Sequence, residues 1–484
     1  MTVQASDIKF RKSALQIDSG GNGGRLGMVE VISGARHALF PRVTKTQREL
    51  GLIRYRKQFW CNENADDDSA YGVLIYLMRP SNAEDRFYLA QGTQRDIQTE
   101  FARKSAIDTY AATRYARTWM GCGQLETALS GGEGQIELAM EADDFQFPNG
   151  GYLYLSDNTM VEQTVDDDVR IGDSVEYASG SWSKIAHTND ITYPYGWCVG
   201  DGEILSIQET TKEEFLQIAL KQTEDEAIGT GNGILTAPAL SQLTDNTNGI
   251  CQQAELLPVV TATCGGVERT VNVDGNGECS GYCSAGQLDM ETGEWDDDIE
   301  WTTAPDNLTS ITITYCERAF SYDGNVATVD LEDQVAGAYL TANTFGAGCI
   351  YVEEVLCSVE DWTETTAAGT YDETTYPPVL FNDGTVEDDW TITFTNASNF
   401  SVSGVHTGSV GTGSVSADLS PINPDTGQPY FTINNLGWGG TWAVGNTVTF
   451  TTHPAAVPIL LENEVPTGTA QEPNNILPIG SYSE

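Results

Sequence analysis

The chain has 484 residues, 40% of them hydrophobic, and its net charge at neutral pH is −46. This length predicts about three or four domains, and the hydrophobic content excludes a globally disordered chain. No stretch approaches the roughly 18 unbroken apolar residues of a transmembrane helix, and the first residues lack the apolar core of a signal peptide. We therefore expect a protein that is made in the cytoplasm and does not enter a membrane.

The charges are distributed unevenly along the chain. Residues 1–120 contain 18 Lys and Arg against 13 Asp and Glu, whereas the other 364 residues contain 6 basic and 57 acidic side chains. An acidic surface of this kind repels nucleic acid and keeps a protein soluble. Two interpretations stay open. The acidic surface serves solubility alone, or a basic head docks onto a partner while the acidic remainder faces solvent or a lumen.

The first 120 residues predict a basic, β-sandwich-like domain. The stretches 54–61 and 71–78 have strand patterns, and an Asn- and Asp-rich loop at 62–68 joins them. Residues 93–119 instead predict a helix, since Thr93 and Asp96 resemble a capping box. Its basic face would contact DNA or an acidic neighbour, or would simply be solvated; that face comprises Arg95, Arg103, Lys104, Arg114 and Arg117.

The middle of the chain predicts two further units. Residues 121–250 form a mixed α/β region whose clearest element is a helix near 209–228, because apolar side chains recur there at helical spacing. Residues 251–374 return to alternating patterns and form a β domain that contains cysteines. At the end of the chain, 461–484 is polar and proline-containing, which indicates an extended or frayed tail.

Residues 375–460 give the strongest pattern. Trp390, Ile392 and Phe394 alternate with threonines, and turn clusters rich in Gly, Asn and Asp recur between such runs. Short strands with regular turns predict an Ig-like β-sandwich of roughly 80–100 residues. The fold class expected for the whole chain is therefore mainly β and multi-domain, with a few helices in the middle region.

This stretch also carries a resemblance. The runs GTVEDDWTITFTNASNFSVSG, NPDTGQPYFTI, GWGGTWAVGNTVTF and THPAAVPI resemble a module in virion proteins of tailed bacteriophages, near the neck of contractile-tailed particles. The amino-terminal order of DIKF, a Gly-rich loop and a strand pair joined by an Asn-rich loop resembles the first sandwich of such proteins.

The resemblance implies a non-enzymatic structural protein located in the virion. It would form an oligomeric ring or collar between the capsid portal and the contractile tail, in a small ring-like copy number. Its partners would be further copies of itself and other neck, portal or tail proteins. Packaged DNA would lie nearby without sequence-specific recognition.

The alternative is a receptor- or carbohydrate-binding appendage on a fibre or baseplate. Trp438 and Trp442 would then form a sugar-binding surface rather than fill the core, and a polysaccharide depolymerase is a third possibility.

The ten cysteines leave several interpretations open. Cys264, Cys279, Cys283 and Cys316 would form disulfides once lysis exposes the particle to an oxidising medium, or bind zinc, or stay as buried thiols. Cys349 and Cys357 are a second possible pair.

Motifs for other chemistry are weak. Residues 274–278 begin like a calcium loop, but Cys279 and Ala285 occupy the positions that need Gly and Glu. The sequence contains no phosphate-binding glycine motif and no hydrolase motif around its scattered histidines, which are His37, His187, His406 and His453. We therefore predict no catalytic, cofactor-binding or metal-binding residue and no cofactor.

Overall fold

The computed structural model describes residues 3–33, 35, 37–81, 83–102, 117–157, 212–235, 240–244, 246–472, 475 and 477–483, and only the backbone of the strands between 160 and 208. Within these ranges the chain is mainly antiparallel β-structure in several sheets, which confirms the predicted mainly β, multi-domain class. The described helices are short: α1 at Lys45–Leu50, α2 at Gln98–Phe101, and 3₁₀ turns at Ala254–Leu256 and Asn435–Gly437. None of the helices in the described ranges has the length and apolar character needed to cross a membrane.

The described strands are numbered in chain order. Those of the first half are β1 (Ile8–Leu15), β2 (Gly23–Glu30), β3 (Leu52–Asn62), β4 (Ala70–Leu77), β5 (Arg86–Gln91), β6 (Cys122–Leu125), β7 (Gln135–Ala139), β8 (Tyr152–Ser156), β9 (Met160–Thr164), β10 (Ser174–Tyr177), β11 (Gly180–Ser183), β12 (Ile185–Ala186), β13 (Ile191–Tyr193), β14 (Gly196–Cys198), β15 (Ile204–Gln208), β16 (Glu213–Gln217) and β17 (Lys221–Thr230). Those of the second half are β18 (Val259–Cys264), β19 (Val267–Val273), β20 (Cys279–Gly281), β21 (Cys283–Leu288), β22 (Trp295–Trp301), β23 (Ser310–Glu317), β24 (Phe320–Asp323), β25 (Val326–Asp330), β26 (Phe345–Val355), β27 (Ser358–Thr365), β28 (Ala368–Tyr371), β29 (Asp388–Phe394), β30 (Asn399–Gly404), β31 (Gly408–Ser414), β32 (Trp438–Thr441), β33 (Thr447–His453), β34 (Ala456–Val465) and β35 (Ile479–Tyr482).

The two ends of the chain meet in one unit, which we call the body. Its first sheet has the order β2–β1–β3–β34–β5. Its second has the order β16–β8–β26–β6–β7–β25–β24, with β4 paired to β26 and β35 paired to β4. The register between β3 and β34 runs without a break from Leu52↔Val465 to Cys61↔Ala456. A strand near the carboxyl end is therefore an internal strand of a sheet that begins near the amino end.

Each face of the first body sheet contributes to a different core. Leu460 packs with Tyr55 and Tyr88 on one face, while Ile459 and Leu461 belong to the core on the other face. This follows from the strand geometry, because neighbouring side chains point to opposite faces. Burying an aliphatic side chain of this size stabilises the fold by about 1.5–3 kcal/mol. The segment 459–461 therefore helps to hold together both layers that cover the sheet.

Three β modules are inserted into the body. The first module (160–208) has the sheet β12–β13–β14–β15–β9 and the hairpin β10–β11. The second module (221–317) has the sheet β17–β23–β18–β19–β20 and the pair β21–β22. The third module (358–453) has the sheet β27–β33–β29–β30–β31 and the pair β28–β32. The second and third modules each have a core of their own, so each is a local unit attached to the body at both ends.

The predicted helix near 209–228 is wrong in the residues that the structure describes. Glu213–Gln217 is β16, which pairs with β8, and Lys221–Thr230 is β17, which pairs with β23. The helical spacing of apolar residues was misleading, because Leu216 and Ile218 are the buried pair and alternate as in a strand. Pairing with distant strands overrides a local helical pattern of this length.

The predicted helix at 93–119 is reduced to α2 in the described residues, and 103–116 lie outside them. Residues 93–97 and 117–119 are not helical. Asp96 accepts a hydrogen bond from the Thr93 backbone N–H at 3.1 Å, but this turn precedes the helix and does not cap it. Of the predicted basic face, only Arg95 and Arg117 are described.

The predicted domain boundaries also need correction. The predicted module 375–460 omits β27 and β28, which belong to the third module, and it includes the start of β34, which belongs to the body. The segment 461–484 is not simply an extended tail, because it contains the rest of β34 and also β35. The predicted 251–374 domain likewise contains β24–β26, which are body strands.

We predict that residues 358–453, expressed alone, form a soluble β domain with cooperative unfolding, because this fragment contains the third module's core. The fragment 376–453 should lose cooperative unfolding. It lacks Trp362, which stacks on Phe450, and Tyr371, which packs against Trp438. Far-ultraviolet circular dichroism with denaturant titration measures both. Equal stability of the two fragments would contradict the module boundary at residue 358.

Candidate functional site

The basic residues of β3 are internal. Arg54, Arg56 and Lys57 are at most 8% exposed, although they lie in the segment with the highest density of positive charge. Arg54 donates to the Pro41 carbonyl and, at 2.9 Å, to Asn463 Oδ1. Burial lowers the pKa of Arg54 to about 10, with the neighbouring Arg56 charge acting in the same direction. These side chains therefore stabilise the body and are not available as a docking surface.

Lys57 lies at the centre of a buried ionic cluster. Its Nζ lies 2.5 Å from Asp96 Oδ1 and 2.7 Å from the Thr93 carbonyl oxygen. Arg117 Nη2 reaches the other carboxylate oxygen of Asp96 at 2.8 Å. Burial lowers the pKa of Lys57, while the Asp96 charge opposes this shift. Removing one partner of such a buried pair typically costs roughly 3–5 kcal/mol, since the other charge is left uncompensated.

A second ionic cluster joins the body to the third module, and we call it the ionic junction. Arg95 donates to Glu387 and makes a two-pronged contact with Asp389, with N–O distances of 2.6 and 2.7 Å. Glu387 also contacts His453, whose Nδ1 lies 2.6 Å from Glu387 Oε2. The His453 Nε2 lies 3.5 Å from Glu360. Bidentate arginine–carboxylate contacts fix direction as well as distance, so the junction orients the module on the body.

The ionic junction also shifts pKa values. Hydrogen bonding to Arg95 lowers the pKa of Asp389, and hydrogen bonding to Asp389 raises the pKa of Arg95. The pKa of His453 is raised chiefly by its hydrogen bond to Glu387, while burial opposes the shift. Of the other histidines, His406 lies close enough for its charge to act on Asp389, His37 is an exposed residue, and the His187 side chain lies outside the described residues.

The tryptophans considered as a sugar-binding surface belong to the third module's core. Trp442 is 4% exposed and stacks on Phe394, with ring centroids 4.2 Å apart and an interplanar angle of 6°. Trp438 packs edge-on against Trp442 and Tyr371. Trp442 is therefore a buried core side chain and Trp438 a partly buried one that packs against the same core, which removes the main observation for the sugar-binding interpretation of this loop.

An aromatic groove lies instead on the body, between β4, β8, β16, β26 and β35. It has a volume of about 460 Å³. Its lining includes Tyr71, Tyr152, Phe215, Tyr351, Glu353 and Tyr482. Tyr152 and Tyr351 have ring centroids 4.9 Å apart, and Phe215 and Tyr482 are 5.1 Å apart. Several exposed rings with one carboxylate suit a flat, partly polar ligand or a protein surface.

Sequence reasoning missed this groove. The tyrosines lie on strands that are far apart in the chain, and only the sheet order brings them together. One signal was available: Tyr71 is followed by the buried run 73–77, so it lies at an outer position where a polar residue is usual.

The nine described cysteines are free thiols, and Cys198 lies in β14, where only the backbone is described. Within the described part of the chain, no group of three or more His, Cys, Asp or Glu side chains is arranged to hold a metal ion. The zinc interpretation of Cys264, Cys279, Cys283 and Cys316 therefore gains no support.

The hypothetical calcium loop is an Asx turn, because Asp274 Oδ1 accepts from the backbone N–H groups of Asn276 and Glu278 at 2.8 and 2.9 Å.

We predict that His453→Gln destabilises the protein more at acidic than at alkaline pH. A raised folded-state pKa means that protonated His453 contributes stability fully below its unfolded pKa of about 6.5. That contribution disappears as the pH rises through the folded-state pKa of His453. The free energy of unfolding should differ from that of wild type by roughly 0.2–1 kcal/mol at most, because solvent partly screens the His453–Glu387 pair. Denaturant unfolding between mildly acidic and mildly alkaline pH measures it.

The matched control is His37→Asn, which removes an exposed imidazole at a position with φ of 58°, a conformation that asparagine tolerates. This control should not change the pH dependence. A His453→Gln effect that is constant across the pH range would contradict a role for the protonated side chain.

No protein-family model, curated protein or solved structure matches this chain.

Proposed function

We propose that this protein is a structural subunit of a tailed-phage virion and assembles into a ring or collar in the neck, between the capsid portal and the contractile tail. The observation that carries the proposal is the resemblance of residues 375–458. The third module contains nearly all of this stretch as a compact unit oriented on the body by the ionic junction. Rigid modules held on a common body suit a subunit that must present fixed surfaces to several neighbours.

The charge distribution supports the same role. The cations of β3 and several other amino-terminal cations are used inside the chain, whereas the chain has many Asp and Glu but no Lys or Arg after Arg318. The outer surface of the third module is therefore acidic. An acidic wall repels the DNA backbone at close range, which suits a component past which DNA travels without being bound.

An exposed edge of the first body sheet offers a contact for self-association, and we call it the edge patch. It comprises the exposed apolar side chains on and beside the β1–β2 hairpin, namely Leu15, Ile17, Met28, Val29 and Ile32. β2 is an outer strand of its sheet. Exposed apolar side chains along an outer strand mark contact sites or aggregation hazards, so a second copy of the chain is the occupant we propose.

The alternative function is a receptor- or carbohydrate-binding appendage on a fibre or baseplate. The aromatic groove favours it, because exposed rings next to a carboxylate can stack on a sugar while the carboxylate accepts hydrogen bonds from hydroxyl groups. The groove is also compatible with a protein contact inside a neck ring. The position of the protein on the particle separates the two functions.

Gold-labelled antibodies against the third module, applied to virus particles purified from cultures that produce this chain, test the proposed function. The proposal expects label at the junction between capsid and tail, and a small ring-like copy number by quantitative mass spectrometry. Label at fibres or the baseplate would support the alternative. Absence from purified particles would overturn both.

We predict that Val29→Lys disrupts self-association, since an ammonium group would have to be buried against the neighbouring copy. Val29 is 62% exposed in the single chain, so the substitution should leave the fold intact. The matched control is Val444→Lys in the third module, where the valine is 75% exposed. Native mass spectrometry and light scattering over a concentration series measure the oligomer.

Wild type and Val444→Lys should assemble, and Val29→Lys should shift the population towards monomer by at least about tenfold in dissociation constant, or about 1.4 kcal/mol. A wild-type chain that stays monomeric at all concentrations, or a Val29→Lys variant that assembles normally, would contradict the role of the edge patch.

A further inference from the structure

Cys251 and Cys316 form a pair that the sequence did not indicate. Ile250 and Glu317 are bridged in antiparallel fashion, and the Cys251 backbone N–H donates to the Cys316 carbonyl at 2.7 Å. The two cysteines are therefore directly opposite each other on adjacent extended segments. Residues opposite each other in antiparallel pairing have Cα atoms about 4.5–5.5 Å apart, which falls within the range that a disulfide spans.

The Cys316 side chain is held by hydrogen bonds. Its thiol donates to the Glu317 carbonyl at 3.5 Å. The Asn149 side-chain amide donates to Cys316 Sγ at 3.3 Å and to the Glu317 carbonyl at 2.6 Å. Asn149 belongs to the body, so the sulfur pair lies where the second module joins it.

We propose that Cys251 and Cys316 are an oxidisable dithiol that a low-molecular-weight disulfide converts into an intramolecular bridge at the base of the second module. The assignment depends on the directly opposed positions of these two cysteines and not on the virion role, so the two proposals can fail separately.

Access is provided by a pocket beside Cys251. The pocket has a volume of about 220 Å³ and lies between the body and the second module. Its lining includes Trp119, Asp143, Asp144, Cys251, Glu291 and Arg318. Three of these side chains are acidic, and Arg318 pairs with Glu291. A small cationic disulfide such as cystamine therefore complements the pocket better than an anionic one.

The chemistry balances as two thiol–disulfide exchanges. The Cys316 thiol loses its proton to solvent, and the Cys316 thiolate attacks the reagent disulfide. One reagent thiolate leaves and takes up a proton from solvent. Cys251 then loses its proton and attacks Cys316 Sγ, which releases the second reagent thiolate. Two protein thiols are oxidised to one disulfide, and the reagent disulfide is reduced to two thiols.

The surroundings favour ionisation of one sulfur in the pair. The pKa of Cys316 is lowered because its sulfur accepts a hydrogen bond from Cys251, with a further contribution from Asn149 and against the effect of burial. The pKa of Cys251 is raised for the reciprocal reason. Cys61, Cys122 and Cys349 differ, since burial alone dominates their environment and raises the pKa of each thiol.

The test is to treat the full-length folded protein with cystamine, block remaining thiols under denaturing conditions, and digest with a protease that cleaves after glutamate. Such cleavage places Cys251 in peptide 227–255, Cys264 in 256–268, Cys279 and Cys283 in 279–291, and Cys316 in 301–317. We expect a bridge between 227–255 and 301–317, with near-complete loss of both thiols. The bridge should be absent in Cys251→Ser and Cys316→Ser and retained in Cys264→Ser, a matched control because Cys264 is also buried in the second module.

Blocking reagent on both Cys251 and Cys316 after treatment, or a bridge from either to another cysteine, would overturn the proposal. The wild-type map decides the question even if a serine variant folds poorly, which circular dichroism would reveal. As a second readout, oxidation should raise the melting temperature of wild type reversibly. No such rise should occur in Cys251→Ser, and an equal rise there would also overturn the proposal.

Discussion

The architecture depends on the pairing of β3 with β34. Ten consecutive residue pairs join them, and partners such as Arg54 and Asn463 are 409 residues apart in the chain. Contacts with such separation form late, because the entropy of closing the intervening chain must be overcome first. The second and third modules have cores built from local segments, so they can fold while the body is still incomplete. Closure of the body is therefore the step that turns separate modules into one subunit.

Buried polar groups specify the register of this pairing. Arg54 donates to Asn463, whose side-chain amide in turn donates to Asp85 at 2.8 Å. Lys57 is held by Asp96, which lies in the turn that leads into α2. A shift of one residue would exchange the two faces of β34 and separate these partners. Buried cations of the amino-terminal segment therefore help to specify the strand register, besides giving this segment its positive charge.

The sequence predicted the β class, because alternation is explicit in strands such as β29, where Trp390, Ile392 and Phe394 face the core. It could not predict which strands meet. Apolar residues in the 209–228 segment have a helical spacing, but pairing with distant strands makes β16 and β17 there. The predicted boundary at 460 divides β34 between the 375–460 module and the tail, because nothing local connects this strand to β3.

For the candidate sites, too, the local sequence pattern does not show which residues the fold brings together. Alternation and turn residues do not reveal that Trp438 and Trp442 are core residues while Tyr71 and Tyr351 lie at a groove, since this depends on how sheets pack. The cysteine pairing is a sharper case. Spacing suggested a cluster of Cys264, Cys279, Cys283 and Cys316, whereas the sheet places Cys316 opposite Cys251, which is not part of that cluster.

Native-state hydrogen exchange of the full-length protein, resolved to short peptides, tests body closure most directly. The account predicts that amides of β34 and β3 exchange together, in the slowest class, through one cooperative opening. As denaturant is added, the amides of both strands should lose protection against exchange at the same denaturant concentration. Fast exchange of β34 while β3 stays protected would contradict the claim that the carboxyl-terminal strand closes the body.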